Sequence, residues 1–318
     1  MEDILKYRIP NEDPVQKNGV FRKSPALDLS EAFVVSTFEK RDTYFFVEDE
    51  AASSELHFSG IEPVCYSQSS YLSTATQFVN DIRNRKLSKA IVSRIEKVHI
   101  ERDVFDVFDG LCTHYQDAFV YLISSDEFGT WIGATPEILM SSRSGIGKTA
   151  ALAGTRRISD EKEWGQKEKD EQQYVTDFIT EQLQLKDVKD LKVVGPHEFL
   201  AGPVKHLEST FRFSMNDQNA LDLALNLHPT PAVSRLPRKE AIELIHSFKT
   251  HDRSLYTGFL GKLGTYSDLF VNLRCPQVIG NDWYLYVGGG FTKDSIPMDE
   301  WEETENKART LLDVLENL

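Results

Sequence analysis

AFVYLISSDEFGTWIGATPEILM, residues 118–140, is the stretch from which the fold is read. Two runs rich in β-branched and aromatic residues, 118–125 and 129–140, flank Asp126, Glu127 and Phe128, the composition of a hairpin. A second pair of this kind occupies 255–265 and 267–274, and residues 32–47, 88–100 and 283–291 add further strand-like segments. Helical periodicity appears at about 71–86, 103–115, 168–186, 218–225, 237–247 and 298–317, several of these opening after Ser, Asp or Pro as first turns do. Strands and helices are interspersed without strict alternation. The expectation is an α+β layered architecture of antiparallel sheets covered by helices.

Composition narrows the function classes. The chain has 318 residues, 40% of them hydrophobic and 27% charged, with no uninterrupted apolar run of the length that crosses a bilayer. No repeat, low-complexity tract or long linker divides it, so a single domain over 1–318 is expected. The start, MEDILKYRIPNEDP, lacks the basic and apolar regions of a secretory signal, which predicts a soluble cytoplasmic protein. Cys65, Cys112 and Cys275 are too widely spaced for a disulfide framework or a zinc cluster. A net charge of −14 argues against nucleic acid or an anionic membrane as partner. It leaves open a small anionic substrate, because a few cations and a metal can reverse the field inside a cleft.

Two Glu-x-x-Glu pairs carry the first hint of chemistry. At ~100° per residue, Glu168 and Glu171 share an arc with Val175, Phe178, Ile179 and Leu183, at the head of an apolar stripe. Acidic residues also favour a first helical turn through the helix dipole, so this pair alone reads more readily as a solvated run. In PMDEWEETENKARTLLDVLENL, the stripe is Trp301, Thr304, Ala308, Leu311, Leu312 and Leu315. Glu300, Glu303 and Lys307 line one edge of it, while Glu302 and Asn306 face away. Upstream, Val287-Gly-Gly-Gly290 ends a strand and either makes a plain tight turn or admits a ligand close to main-chain N–H groups. Two facing carboxylate pairs would suit a hard cation such as Mg²⁺, which takes oxygen ligands from one or two carboxylates plus substrate and water.

The segment FTKDSIPMDEWEETENK at 291–307 resembles the closing motif of the chorismate-utilising enzymes. ALAGTRR at 151–157, KEKDEQQYVTDFI at 167–179, VKHLEST at 204–210, LHPTPAV at 227–233, LYTGFLG at 255–261 and VNLRCPQV at 271–278 resemble that family's blocks in order and spacing. Together they span about 75–315, leaving 1–74 as an N-terminal region shorter than the family's usual one. The resemblance implies one large α+β domain with two antiparallel β-sheets and outer helices. It further implies that Glu171 and Glu303 hold Mg²⁺ directly or through water, with Glu168 and Glu300 as their partners, against the ring carboxylate of chorismate. Tyr256, Arg274 and main-chain groups around Gly289 would grip the enolpyruvyl carboxylate, with Lys307 near the metal side. Arginine suits this through its planar fork, and the apolar run LFVNLRC places Arg274 in a strand, where a charge needs a partner or a cleft.

Lys89 in Lys89-Ala-Ile-Val-Ser-Arg94 resembles the general base of the water-using branch of the family. Strand alternation sets it with Ile91, Ser93 and Ile95, and a partly buried lysine beside a cation gives up its proton more easily. Glu137, flanked by apolar residues that would favour its neutral form, resembles the general acid. Gly154, Thr155 and His206 resemble residues around the ring. LHPTPAV resembles the isochorismate synthases more than the salicylate or anthranilate branches, so chorismate to isochorismate is the expected reaction, with no redox cofactor and no obligatory protein partner. Three departures from the family pattern stand out: Gln172 after the metal glutamate, Ser234-Arg235 where small residues are usual, and the short N-terminal region. Salicylate synthesis, an ammonia-using synthase and a non-catalytic binder are the rival expectations.

Overall fold

The structure is a computed structural model that describes residues 3–23, 31–49, 55–85, 87, 89–160, 162–186, 188–201, 204–231, 233, 238–248 and 251–317. In chain order the strands are β1 (Asp3–Arg8), β2 (Val15–Arg22), β3 (Glu31–Ser36), β4 (Thr43–Glu48), β5 (Ala90–His99), β6 (Phe119–Ser125), β7 (Gly129–Thr135), β8 (Ile138–Arg143), β9 (Ile146–Arg157), β10 (Lys189–Ala201), β11 (Val204–Ser214), β12 (Phe259–Gly264), β13 (Tyr266–Val271), β14 (Cys275–Ile279) and β15 (Asp282–Phe291). The helices are α1 (Gln68–Arg85), α2 (Val104–His114), α3 (Gln166–Gln184), α4 (Ala220–Leu227), α5 (Arg238–Ser247) and α6 (Pro297–Asn317). The α+β class and both expected hairpins are present, as β6–β7 and β12–β13.

Two separate sheets were expected, whereas the strands form one hydrogen-bonded order, β10-β11-β9-β8-β13-β12-β3-β4-β2-β1-β6-β7-β14-β15-β5. The reconciliation is physical. Phe119 on β6 and Phe270 on β13 stack with centroids 4.5 Å apart and planes within 7°. In a flat sheet these strands would stand about 29 Å apart, six spacings of ~4.8 Å. The sheet therefore folds back on itself, and its two halves enclose an aromatic core of Tyr7, Phe33, Phe119, Tyr121, Phe270 and Tyr286. β3, β4, β2 and β1 carry the chain round the bend, so the two layers are halves of one sheet.

Helices seal the outer faces. Val175, Phe178, Ile179 and Leu183 of α3 join Ala151 and Ala153 of β9 in one cluster, confirming the stripe at whose head Glu168 and Glu171 stand. Ala308, Leu311 and Leu315 of α6 pack with Trp283, Leu285 and Val287 of β15. β7 and β8, expected as one run, are separated by Pro136 and Glu137, and β8 leaves to pair with β13 and β9. Proline cannot donate to a ladder, which explains the break.

Candidate active site

The terminal strand β5 pairs with β15, setting Ile91 opposite Gly290, Val92 opposite Gly289 and Ser93 opposite Gly288. The glycine run is required by what lies over it. A Cβ at Gly290 would overlap Cε of Lys89 and stand 3.0 Å from its Nζ, and one at Gly288 would stand 3.0 Å from the Tyr256 hydroxyl. One at Gly289 would meet Glu300 Oε2 at 2.9 Å. These glycines extend β15 instead of making a tight turn, and they admit the close approach of Lys89, Tyr256 and Glu300 side chains. A cavity of about 340 Å³ opens here, lined among others by Lys89, Tyr256, Arg274, Gly288, Gly290, Glu303 and Lys307.

Lys89 Nζ lies 3.6 Å from Glu171 Oε1, so the predicted base reaches across to the glutamate pair of α3. On α6, Lys307 Nζ donates to Glu303 Oε1 at 2.6 Å and to the Gly288 carbonyl at 2.8 Å. Glu300 accepts from Ser295 Oγ at 2.6 Å, while its Oε2 is buried with no hydrogen-bond partner among the described residues. Burial, reinforced by Glu303, raises the Glu300 carboxyl above its ordinary range, against the pull of Ser295, Lys89 and Lys307. Tyr256 is buried and its phenol is likewise pushed up by burial, with the charge of Glu137 contributing.

The other pair is arranged differently. Gly154 sits at a bulge where β9 slips against β11, with φ +68°, so that a side chain there would crowd Glu168 Cβ and Trp164. His206, half-buried on β11, meets the Gly154 carbonyl through Nδ1 at 3.1 Å. A carbonyl only accepts, so Nδ1 carries the proton. Arg156 donates to Glu168 at 2.8 Å and holds its carboxyl below the usual range. Thr155 pairs with His206 through its main chain, and its side chain lies outside the described residues, as do Ser234 and Arg235.

Glu137 is placed elsewhere: half-buried, it lines a second cavity of about 350 Å³ with Leu139, Val175, Phe178, Leu227 and Pro231. Pro231 walls this cavity and Val233 walls that of Lys89, so the two cavities border one short segment of chain. Arg274 also departs from expectation. It is exposed in the break between β13 and β14 with φ +52°, outside the strands, and its side chain borders the Lys89 cavity. Gln172, the departure beside the metal pair, is buried and donates to the Ala151 carbonyl and Ser209 Oγ.

Among the described residues no three acidic, histidine or cysteine side chains converge as a ready metal cluster. Glu168, Glu171 and Glu303 each face a cation, Arg156, Lys89 and Lys307 respectively. The donor chemistry nevertheless fits Mg²⁺: hard carboxylate oxygens, one of them buried and unpartnered on Glu300. Sequence reasoning missed Arg156, Ser295 and Arg94. Ser295 carried a readable signal, a hydroxyl just ahead of a helix opened by Pro297.

Known proteins share the sequence and the fold of this chain. The vibriobactin-specific isochorismate synthase of Vibrio cholerae is 27% identical over 258 residues, 76% of this chain and 65% of that protein. Isochorismate synthase EntC of Escherichia coli is 33% identical over 200 residues, 58% of this chain and 51% of that protein. The chain thus spans about half to two thirds of the length of these curated relatives. The solved structure of MenF, the menaquinone-specific isochorismate synthase of Escherichia coli, shares the fold with a TM-score of 0.83 at 20% identity, covering 98% of this chain and 88% of that one. The family model for chorismate binding enzymes matches residues 30–316, nearly the whole of the folded sheet and both glutamate helices, and the chain belongs to that family.

Proposed function

We propose that the chain converts chorismate to isochorismate in a Mg²⁺-dependent reaction. The observation that carries the proposal is Lys89, laid across Gly290 in the cavity that Tyr256, Arg274 and Lys307 also line. The names of the relatives point to the same reaction. Lys89 takes a proton from water, whose oxygen attacks ring C2. Both ring double bonds shift, C1=C2 to C1=C6 and C5=C6 to C4=C5, the C4–O bond breaks, and Glu137 protonates the departing hydroxyl, so that one water enters and one leaves. Arg274, the Tyr256 hydroxyl and main-chain N–H groups around Gly289 hold the enolpyruvyl carboxylate. Gly154, Thr155 and His206 shape the wall beside the ring. Glu171 and Glu303 would hold Mg²⁺, with Glu168 and Glu300 as their partners and Lys307 alongside. When bound, the metal supplies positive charge against the ring carboxylate.

No helix among the described residues is long and apolar enough to cross a membrane. Incubating the purified chain with chorismate, with and without Mg²⁺, and resolving products by chromatography tests all of this. Isochorismate formed only with Mg²⁺ is expected. Salicylate plus pyruvate, or anthranilate in the presence of ammonium, would overturn the assigned reaction.

A further inference from the structure

Arg94 is a buried cation that the proposed chemistry does not use. It lies on β5, five residues beyond Lys89, with 3% of its surface exposed. While Lys89 and Ile91 border the catalytic cavity, Arg94 meets α6. Its Nε donates to Thr304 Oγ1 at 2.8 Å, and its Nη2 donates to Glu96 at 3.1 Å and to Glu305. Its guanidinium carbon lies 4.0 Å from the centre of the Trp301 ring, whose other contacts include Tyr71 at 5.2 Å. A buried guanidinium needs this many partners. Their identity is the informative part. Trp301 follows Glu300, Thr304 follows Glu303, and Glu305 comes next, so these contacts of Arg94 on α6 lie within two residues of the glutamate pair. Because ~100° separates successive helical residues, a fork, a stacking face and an ion pair at these positions fix both the rotation and the height of α6 above the glycine run.

Resting on the reading of Glu300 and Glu303 as Mg²⁺-side residues, we propose that Arg94 is the positioning residue that locks α6 in the rotation presenting them to the cation, coupling that helix to the strand carrying Lys89. Lysine keeps the charge but loses the fork and the flat face. Removing an outer partner of a metal ligand typically weakens affinity by about 10–100-fold.

The experiment is Mg²⁺ titration of the full chain by calorimetry, with metal-free thermal unfolding alongside, for wild type, Arg94→Lys and Thr304→Val. The valine substitution removes only the hydroxyl that accepts from Arg94 and keeps the helix intact should the lysine variant fold poorly. Expected is Mg²⁺ affinity at least about tenfold weaker in Arg94→Lys, and weakened in Thr304→Val, with metal-free melting points within a few degrees of wild type and turnover recovered at high Mg²⁺. Wild-type affinity in Arg94→Lys, or in Thr304→Val should the lysine variant fold poorly, overturns the proposal, as does an affinity loss that only tracks a loss of melting point. If wild type binds Mg²⁺ and the variants do not, yet no isochorismate is made from chorismate, the assigned reaction fails and the role of Arg94 stands. If isochorismate is made while Arg94→Lys binds Mg²⁺ normally, the reverse holds.

Discussion

Replacing Gly290 by alanine isolates the contribution of Lys89 placement without deleting the lysine. The added Cβ would overlap Lys89 Cε, stand 3.0 Å from Nζ and press Ile91 Cδ1 at 3.3 Å. Restoring a carbon–carbon separation of ~3.5–4.0 Å requires the end of the side chain to move by more than about 1 Å. The obstacle is the tip of a flexible chain, and Gly290 is not among the residues of positive φ, so the backbone tolerates alanine. The cost in stability should sit near ~1 kcal/mol, the low end for overpacking, or a melting-point change of a few degrees. The kinetic cost is larger, since a reacting group displaced by ~1 Å costs about 10²-fold. Initial rates of isochorismate formation at saturating Mg²⁺, with unfolding followed by circular dichroism, give both numbers. A Gly290→Ala turnover within threefold of wild type would refute the placement of the base. Gly289→Ala offers the contrast: its Cβ would meet Glu300 Oε2 at 2.9 Å and approach Glu303 Oε1 at 4.0 Å, so the Mg²⁺ requirement should rise while turnover at saturating metal stays near wild type.

Lys89→Ala and Glu137→Gln should each lower turnover by about 10²–10⁴-fold with chorismate affinity retained, read from single-turnover rates and ligand-induced melting shifts; unchanged rates would remove the residue concerned from the mechanism. Burial raises the Glu300 carboxyl, so its protonated form favours the fold: its contribution is fully present below the ordinary carboxylate value of 4.5 and is lost as pH rises through the raised one. Metal-free melting points should therefore fall over that acid-to-neutral window, less steeply in Glu300→Gln, and Mg²⁺ should reverse the fall; a pH profile identical in the two proteins would contradict it. Phe270→Ala removes the ring that joins the two halves of the sheet through Phe119, so urea unfolding should shift by ~3–5 kcal/mol; a loss below ~1 kcal/mol would mean the halves are held elsewhere.

Helices were largely legible because each carries its own evidence: the pattern at 71–86 is α1 at Gln68–Arg85, and Asp103 caps α2 by accepting from Phe105 N–H. Strands were legible where alternation was strong. β1, β2, β9, β10, β11 and β14 escaped reading; β10, at one end of the sheet order and exposed through most of its length, buries little, and Gly195-Pro196 reads as a turn. The single sheet was illegible for a different reason: nothing local in residues 90–99 names residues 282–291 as their partner. At the site, the arcs of Glu300 and Glu303 followed from periodicity, whereas the pairing of Glu168 with Arg156 depends on a bulge at Gly154 that no pattern announces. Arg274 was misplaced because LFVNLRC is mostly apolar and reads as one strand, yet the ladder ends at Val271.

The position of β5 at the end of the sheet has a consequence for biosynthesis. Among the described residues its only ladder partner is β15, made roughly 180 residues later. At ~5–20 residues per second, the apolar segment Ala-Ile-Val-Ser-Arg-Ile waits on the order of ten to forty seconds on the ribosome before any strand can pair with it. The nascent chain thus exposes an aggregation-prone template until β15 is made. The strand completes its ladder only when β15 docks and lays its glycines beneath Lys89.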